Sequence, residues 1–104
     1  MRFLMFVCGD DAAEVTTDLD PARWLAETPQ RLAGDRLRPV SDATTLWPKD
    51  GGGTFVSDGP FAETKEQIAG YDIIECADLA EAVEIAARHP VAAFGAIELR
   101  PVWT

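Results

Sequence analysis

The chain has 104 residues, 47% hydrophobic and 26% charged, a length and composition that suit one globular domain with its own core and exclude two. Eighteen acidic residues against nine basic give a net charge of −9 with no basic cluster, which argues against direct nucleic-acid binding and against an anionic membrane surface. The apolar start over residues 3–8 stops at Gly9-Asp10-Asp11 with no small-residue cleavage site, and no transmembrane run follows, so a cytoplasmic protein is expected.

Residues 3–8 predict a strand that is apolar on both faces, Phe3, Met5 and Val7 one way and Leu4, Phe6 and Cys8 the other. Such a strand sits centrally in a sheet and is covered on both sides. Helices can supply one cover. The other must be a second sheet, a partner subunit or an enclosed pocket, and a homodimer is expected on that ground. Residues 9–20 are polar and acidic and read as a loop. Asp20 as N-cap and Pro21 at the first helical position then start a helix with a buried stripe of Trp24, Leu25, Thr28 and Leu32. Pro29 kinks or divides it, and Gly34 ends it.

Residues 37–47 read as a strand with an irregular start at Pro39, residues 48–53 as a glycine-rich hairpin loop, and residues 54–57 as the returning strand. Asp58-Gly59-Pro60 is a turn: Asp can bond its own backbone, Gly accepts positive φ and Pro fixes φ. Residues 70–77 form the next strand, with Tyr71, Ile73 and Glu75 opposite Asp72, Ile74 and Cys76. Asp78 and Glu81 have the spacing of a capping box for a second helix, whose stripe is Leu79, Ala82, Val83 and Ala86 and whose outer face holds Glu81, Glu84 and Arg88. His89-Pro90 ends it. Residues 96–102 are the last strand, Ile97 and Leu99 facing away from Glu98 and Arg100. The order βα, ββ, βαβ predicts a single α+β domain over residues 1–104, a ferredoxin-like βαββ(β)αβ antiparallel sheet with both helices on one face.

Within residues 58–66, Asp58, Glu63, Lys65 and Glu66 crowd around Phe61. Asp58 can act as a general acid or base where burial or a nearby Glu63 or Glu66 favours its protonated form, and it is equally a good turn former. If Ile97 and Leu99 face the helices, Glu98 and Arg100 project onto the open sheet face. An arginine there can hold an acidic ligand bidentately, and a plain edge-strand ion pair explains the two residues as well. Tyr71 and Phe61 read first as packing residues and second as pocket lining. His89, the only histidine, sits at a helix C-terminus and reads as structural. One histidine and two distant cysteines make no zinc pattern, so neither metal nor cofactor is expected.

Asp58-Gly59-Pro60-Phe61-Ala62-Glu63-Thr64-Lys65-Glu66, continued by Gln67-Ile68-Ala69-Gly70-Tyr71, closely resembles the signature of the DGPF proteins, a branch of the YCII-related family. Arg38-Pro39-Val40 with Ala43-Thr44-Thr45, Ala86-Ala87-Arg88-His89-Pro90, and Ile97-Glu98-Leu99-Arg100-Pro101-Val102 resemble the same family. The resemblance implies two such sheets packed face to face as a dimeric α+β barrel, with a small pocket on the open face. It implies acid–base chemistry on a small organic acid, with Asp58 the catalytic candidate; Phe61, Glu63, Lys65, Tyr71, Glu98 and Arg100 are the candidates for holding an anionic ligand. YCII-like relatives thought to be enzymes pair that acid with a histidine nearer the first helix, and residues 9–34 contain none. The alternative is therefore a non-catalytic small-molecule-binding domain, or a regulatory accessory module of the kind some relatives resemble beside alternative sigma factors.

In this fold the strands carrying Cys8 and Cys76 are antiparallel neighbours, which puts the two sulfurs at opposite edges of the sheet, roughly 15–20 Å apart and beyond disulfide reach. Thiol titration of the denatured protein is expected to give two free thiols per chain. A lower value would mean that the strand pairing is misread.

Overall fold

The computed structural model describes residues 1–9, 22–62, 67–93 and 95–103. Its central strand is β1 (Arg2–Gly9), which pairs antiparallel with β5 (Gln67–Glu75) on one side and β6 (Ala96–Pro101) on the other. Strand β2 (Arg31–Arg36) adds to the far edge of β5, giving a four-stranded antiparallel sheet in the order β2-β5-β1-β6. Strands β3 (Thr44–Pro48) and β4 (Thr54–Asp58) form a separate two-stranded hairpin. The main sheet is open, with β2 and β6 as its edges, and it closes no barrel among the described residues.

The parity expected of β1 is present. Phe3, Met5 and Val7 are buried, while Leu4, Phe6 and Cys8 on the opposite face are only half-buried. The buried side packs against Trp24 of α1 (Ala22–Ala26) and Ala82, Ile85 and Ala86 of α2 (Leu79–Ala87), with Ile74 and Cys76 completing the core. Ile97 and Leu99 of β6 pack against the same cluster, which turns Glu98 and Arg100 to the other face. Each large aliphatic or aromatic side chain buried here stabilises the fold by roughly 1.5–3 kcal/mol. The helices are also tied to each other, since Trp24 Nε1–H donates to the Ile85 carbonyl at 3.0 Å.

The N-cap half of the expected capping box of α2 is formed, and Glu81 reaches back to the residue before the cap. Glu81 N–H donates to Asp78 Oδ1 at 2.9 Å, and Glu81 Oε2 accepts from Ala77 N–H at 2.8 Å. The buried stripe differs from the expected one: Ile85 joins Ala82 and Ala86, whereas Leu79 and Val83 are exposed. Two alanines let the helix sit close to the sheet with Ile85 filling the gap, and that phase rotates Leu79 and Val83 to the rim.

The first helix is shorter than its stripe predicted. The buried Thr28 donates its hydroxyl to the Trp24 carbonyl at 2.6 Å, Pro29 has no N–H to offer, and the chain passes directly into β2. Leu32 and Gly34 therefore belong to a strand, and Leu25 and Leu32 are exposed. Gly34 does not end a helix. It lies where an added Cβ would overlap Asp72 Oδ1 and the Tyr71 carbonyl, so its lack of a side chain lets β2 approach β5. The expected Asp20 cap, Pro21 and most of the acidic loop lie outside the described residues. Residues 37–47 are likewise not one strand. A 3₁₀ turn at Val40–Asp42, braced by an Arg38–Asp42 ion pair at 2.9 Å, precedes β3. Strand β5 begins at Gln67, three positions earlier than expected, and its pairing with β1 shifts register between Val7 and Cys8. Cys8 and Cys76 are not bonded to each other. Burial, with Glu81 nearby, pushes the Cys76 thiol above its ordinary range.

A small polar cluster lies on the helix side of the sheet. Asp72 points to the buried face and is met by Arg31 Nε at 2.7 Å, and Arg31 Nη2 also donates to the Gly34 carbonyl at 2.7 Å. His89 is buried edge-on against Trp24, with ring centroids 4.9 Å apart, and its Nδ1 accepts from Val91 N–H at 3.1 Å. Burial pushes His89 below its ordinary 6.5, and the Asp72 carboxylate partly offsets this. The unfolded chain therefore takes up this proton before the folded one does. The contribution of neutral His89 to stability is present above 6.5 and is lost as the pH falls through the depressed folded value. Melting temperature measured from about pH 7.5 to about pH 5.5 is expected to fall more steeply for the wild type than for His89→Gln. Equal slopes would show that His89 is not linked to folding.

Candidate functional site

Two surfaces bring together most of the residues singled out in the sequence. The first is the open face of the main sheet. Leu4 lies between Ile73 and Arg100, and Phe6 lies between Tyr71 and Glu98. Arg100 Nη2 donates to Glu98 Oε2 at 2.7 Å, and its guanidinium stands 5.5 Å from the centroid of the Phe6 ring. Tyr71, Glu98 and Arg100 therefore gather around Phe6, a residue that reasoning about charged and polar groups did not nominate. Its signal was present as the apolar residue of β1 on the same side as Arg100. A guanidinium backed by an aromatic face keeps its outer donors for a ligand, because the cation–π contact uses the flat of the group and not its rim.

The second surface is a groove of about 770 Å³ between the 3₁₀ turn and the Asp58-Gly59-Pro60-Phe61 turn. Leu37, Arg38, Val40, Pro60, Phe61 and Ile68 are among the residues that line it. The turn is firmly fixed. Gly59 has φ of +99°, donates its N–H to the Ala43 carbonyl at 2.8 Å, and accepts from the Thr45 hydroxyl at 2.7 Å. Phe61 stacks on Trp47 of β3 with centroids 5.1 Å apart, and Trp47 Nε1–H donates to Ser57 Oγ at 3.0 Å. Phe61 is nevertheless 74% exposed, with its free side towards the groove. Ile68 joins the two surfaces, because it lines the groove and pairs with Cys8 of the open face.

Asp58 is not part of either cluster. It ends β4 opposite Thr44, it is exposed, and it has no hydrogen bond or ion pair among the described residues. Tyr71, Glu98 and Arg100 stand on the main sheet and Asp58 on the hairpin. Glu63, Lys65 and Glu66 lie outside the described residues. Among the described residues no group of histidine, cysteine and carboxylate side chains could hold a metal ion, and no helix is long and apolar enough to cross a membrane.

The family model described as a YCII-related domain matches residues 1–104. An uncharacterised protein of Rhizobium meliloti (strain 1021) is 46% identical over 69 residues, a stretch covering 64% of this chain and 55% of that protein. The match thus spans about half the length of that relative.

Gly59 occupies backbone space that a side chain enters at a cost, and the hydrogen bonds on both sides of it leave no route for relaxation. Gly59→Ala is expected to destabilise the protein by about 1–2 kcal/mol in denaturant unfolding. An unchanged midpoint would show that the turn adapts and is not fixed by this residue.

Proposed function

The chain belongs to the YCII-related family, and from that premise we propose that it is a homodimeric small-molecule-binding protein of the DGPF branch, holding a small organic anion between two open sheet faces. The observation that carries this reading is the asymmetry of β1. Its helix side is sealed, while Leu4, Phe6 and Cys8 on the other side, together with Tyr71 and Ile73, remain only partly covered. The strand order β2-β5-β1-β6 with both helices on one side supports a ferredoxin-like unit. Two such units stacked through their open faces form a dimeric α+β barrel, and the stacking supplies the second cover that a two-sided apolar strand requires.

In the space between the sheets, Arg100 is the group suited to a carboxylate. Phe6 supports its guanidinium and Glu98 orients it through one nitrogen, leaving further N–H groups to form a charge-assisted pair. Tyr71 flanks the same ring and adds an aromatic wall and a hydroxyl. Acid–base chemistry by Asp58 is the second reading. It is the weaker of the two, because an exposed aspartate on the hairpin lacks the enclosure that a general base needs. The regulatory accessory role gains no support from the geometry.

Sedimentation velocity at micromolar concentration is expected to show a dimer. A thermal-shift screen of small carboxylates is expected to find at least one that stabilises it, by about 2.7 kcal/mol at a hundredfold excess over Kd. Arg100→Ala should abolish that shift and leave the dimer intact, and Asp58→Asn should leave both unchanged. A monomeric wild type, or a response that survives Arg100→Ala, would overturn the reading. A response lost in Asp58→Asn would move the acid–base reading to first place.

A further inference from the structure

We propose that the ligand of the open sheet face is a short-chain amino acid, with its carboxylate on Arg100 and its ammonium on Asp35. The inference rests on the anion-binding reading above and narrows its ligand from carboxylates in general to zwitterions.

The backbone puts Asp35 on this face. It stands opposite Tyr71 in the pairing of β2 with β5, and Tyr71 in turn stands opposite Phe6. Gly34 beside it lies on the other face, where an added Cβ would overlap the buried Asp72. Asp35, Tyr71, Phe6 and Glu98 therefore form one row across the four strands. Arg100 ends the neighbouring row, beyond Ile73 and Leu4, and its guanidinium stands over the Phe6 ring.

The charges on this face do not balance. Arg2 shares the side of Leu4 and Phe6, and it lies 3.6 Å from Glu75, its opposite number on β5. Arg100 and Glu98 are 2.7 Å apart. Asp35 is exposed, and its side chain has no hydrogen bond or ion pair among the described residues. Two arginines against three carboxylates leave one negative charge unmatched, and that charge is Asp35.

Ligands of different charge are therefore not equivalent. A monocarboxylate held by Arg100 adds a second unmatched negative charge, and a dicarboxylate adds a third. Carboxylates that share a site repel one another. An amino acid adds no net charge. Its ammonium is the partner that Asp35 lacks, and its carboxylate meets the outer N–H groups of Arg100 in a charge-assisted pair. A simple amine would satisfy Asp35 and leave those donors unused.

Spacing sets the chain length. Asp35 and Phe6 are two strands apart, roughly 10 Å at about 4.8 Å per strand. With charge-assisted hydrogen bonds of about 2.8 Å at each end, the ligand's own oxygen and nitrogen stand about 4 Å apart. That span suits an amine two or three carbons from the carboxylate. Tyr71, half-buried between the two charges, is the floor for the methylenes.

The test is isothermal titration calorimetry at neutral pH with probes that differ in one group. β-Alanine is compared with butyrate and succinate, and γ-aminobutyrate with valerate and glutarate, so that a methyl and then a carboxylate replaces the ammonium. The wild type is expected to bind the better amino acid at least about tenfold more tightly than its matched monocarboxylate, with the dicarboxylate weaker still. Asp35→Asn should erase that preference and improve the dicarboxylate, while Arg100→Ala should weaken amino acid and monocarboxylate alike. A monocarboxylate that matches its amino acid in the wild type, or a preference that survives Asp35→Asn, overturns the inference and leaves the anion reading standing. Propylamine binding as tightly as β-alanine overturns both. If none of these probes binds, the inference falls, and the wider carboxylate screen decides the anion reading by itself.

Discussion

The burial of one face of β1 sets the terms for the rest of the molecule. Phe3, Met5 and Val7 need a lid, and α1 and α2 provide it as a coupled pair through the Trp24–Ile85 bond. That lid also covers Asp72, which lies opposite Met5 on β5. A carboxylate in that place costs several kcal/mol unless it is paired. Arg31 supplies the pair, and it can do so only because β2 comes in beside β5, with Gly34 lacking the Cβ that would collide with Asp72. The edge strand β2 thus supplies the partner of a charge buried on the neighbouring strand.

This dependence explains what could be read from the sequence and what could not. Strand β1, the hairpin, the Asp78–Glu81 capping box and the alternation of β6 follow rules acting within a few residues, and each was legible. Strand β2 was not. Arg31-Leu32-Ala33-Gly34-Asp35-Arg36 has neither alternation nor strand-forming residues, and its conformation is imposed by pairing with residues about forty positions later. The phase of α2 failed for a related reason. Ala82 and Ala86 were expected in the core and lie there, but with both alanines against the sheet it is Ile85, not Leu79 or Val83, that fills the space beside them.

The same distinction holds for the candidate site. Tyr71, Glu98 and Arg100 could be placed on a common face from parity alone, and the structure gathers them around Phe6. Asp58 was nominated by the density of charged groups around it, which carries no information on distance. It stands on the hairpin, a sheet apart from Arg100. Local composition marked that the turn matters without indicating how.

The turn's own residues suggest how. Gly59 is needed for its backbone angle and for bonds to Ala43 and Thr45, Pro60 lines the groove, and Phe61 is held against Trp47. These contacts fasten residues 59–61 to β3 and to Ala43 before it, so the turn is a rigid joint at the end of the hairpin. An acid–base role would require an enclosed Asp58 with a proton-transfer partner, and the exposed Asp58 has neither among the described residues. A joint requires only that Gly59, Pro60 and Phe61 hold their places. It also accounts for an aromatic ring left largely in water, because stacking on Trp47 fixes one side of Phe61 and leaves the other towards the groove.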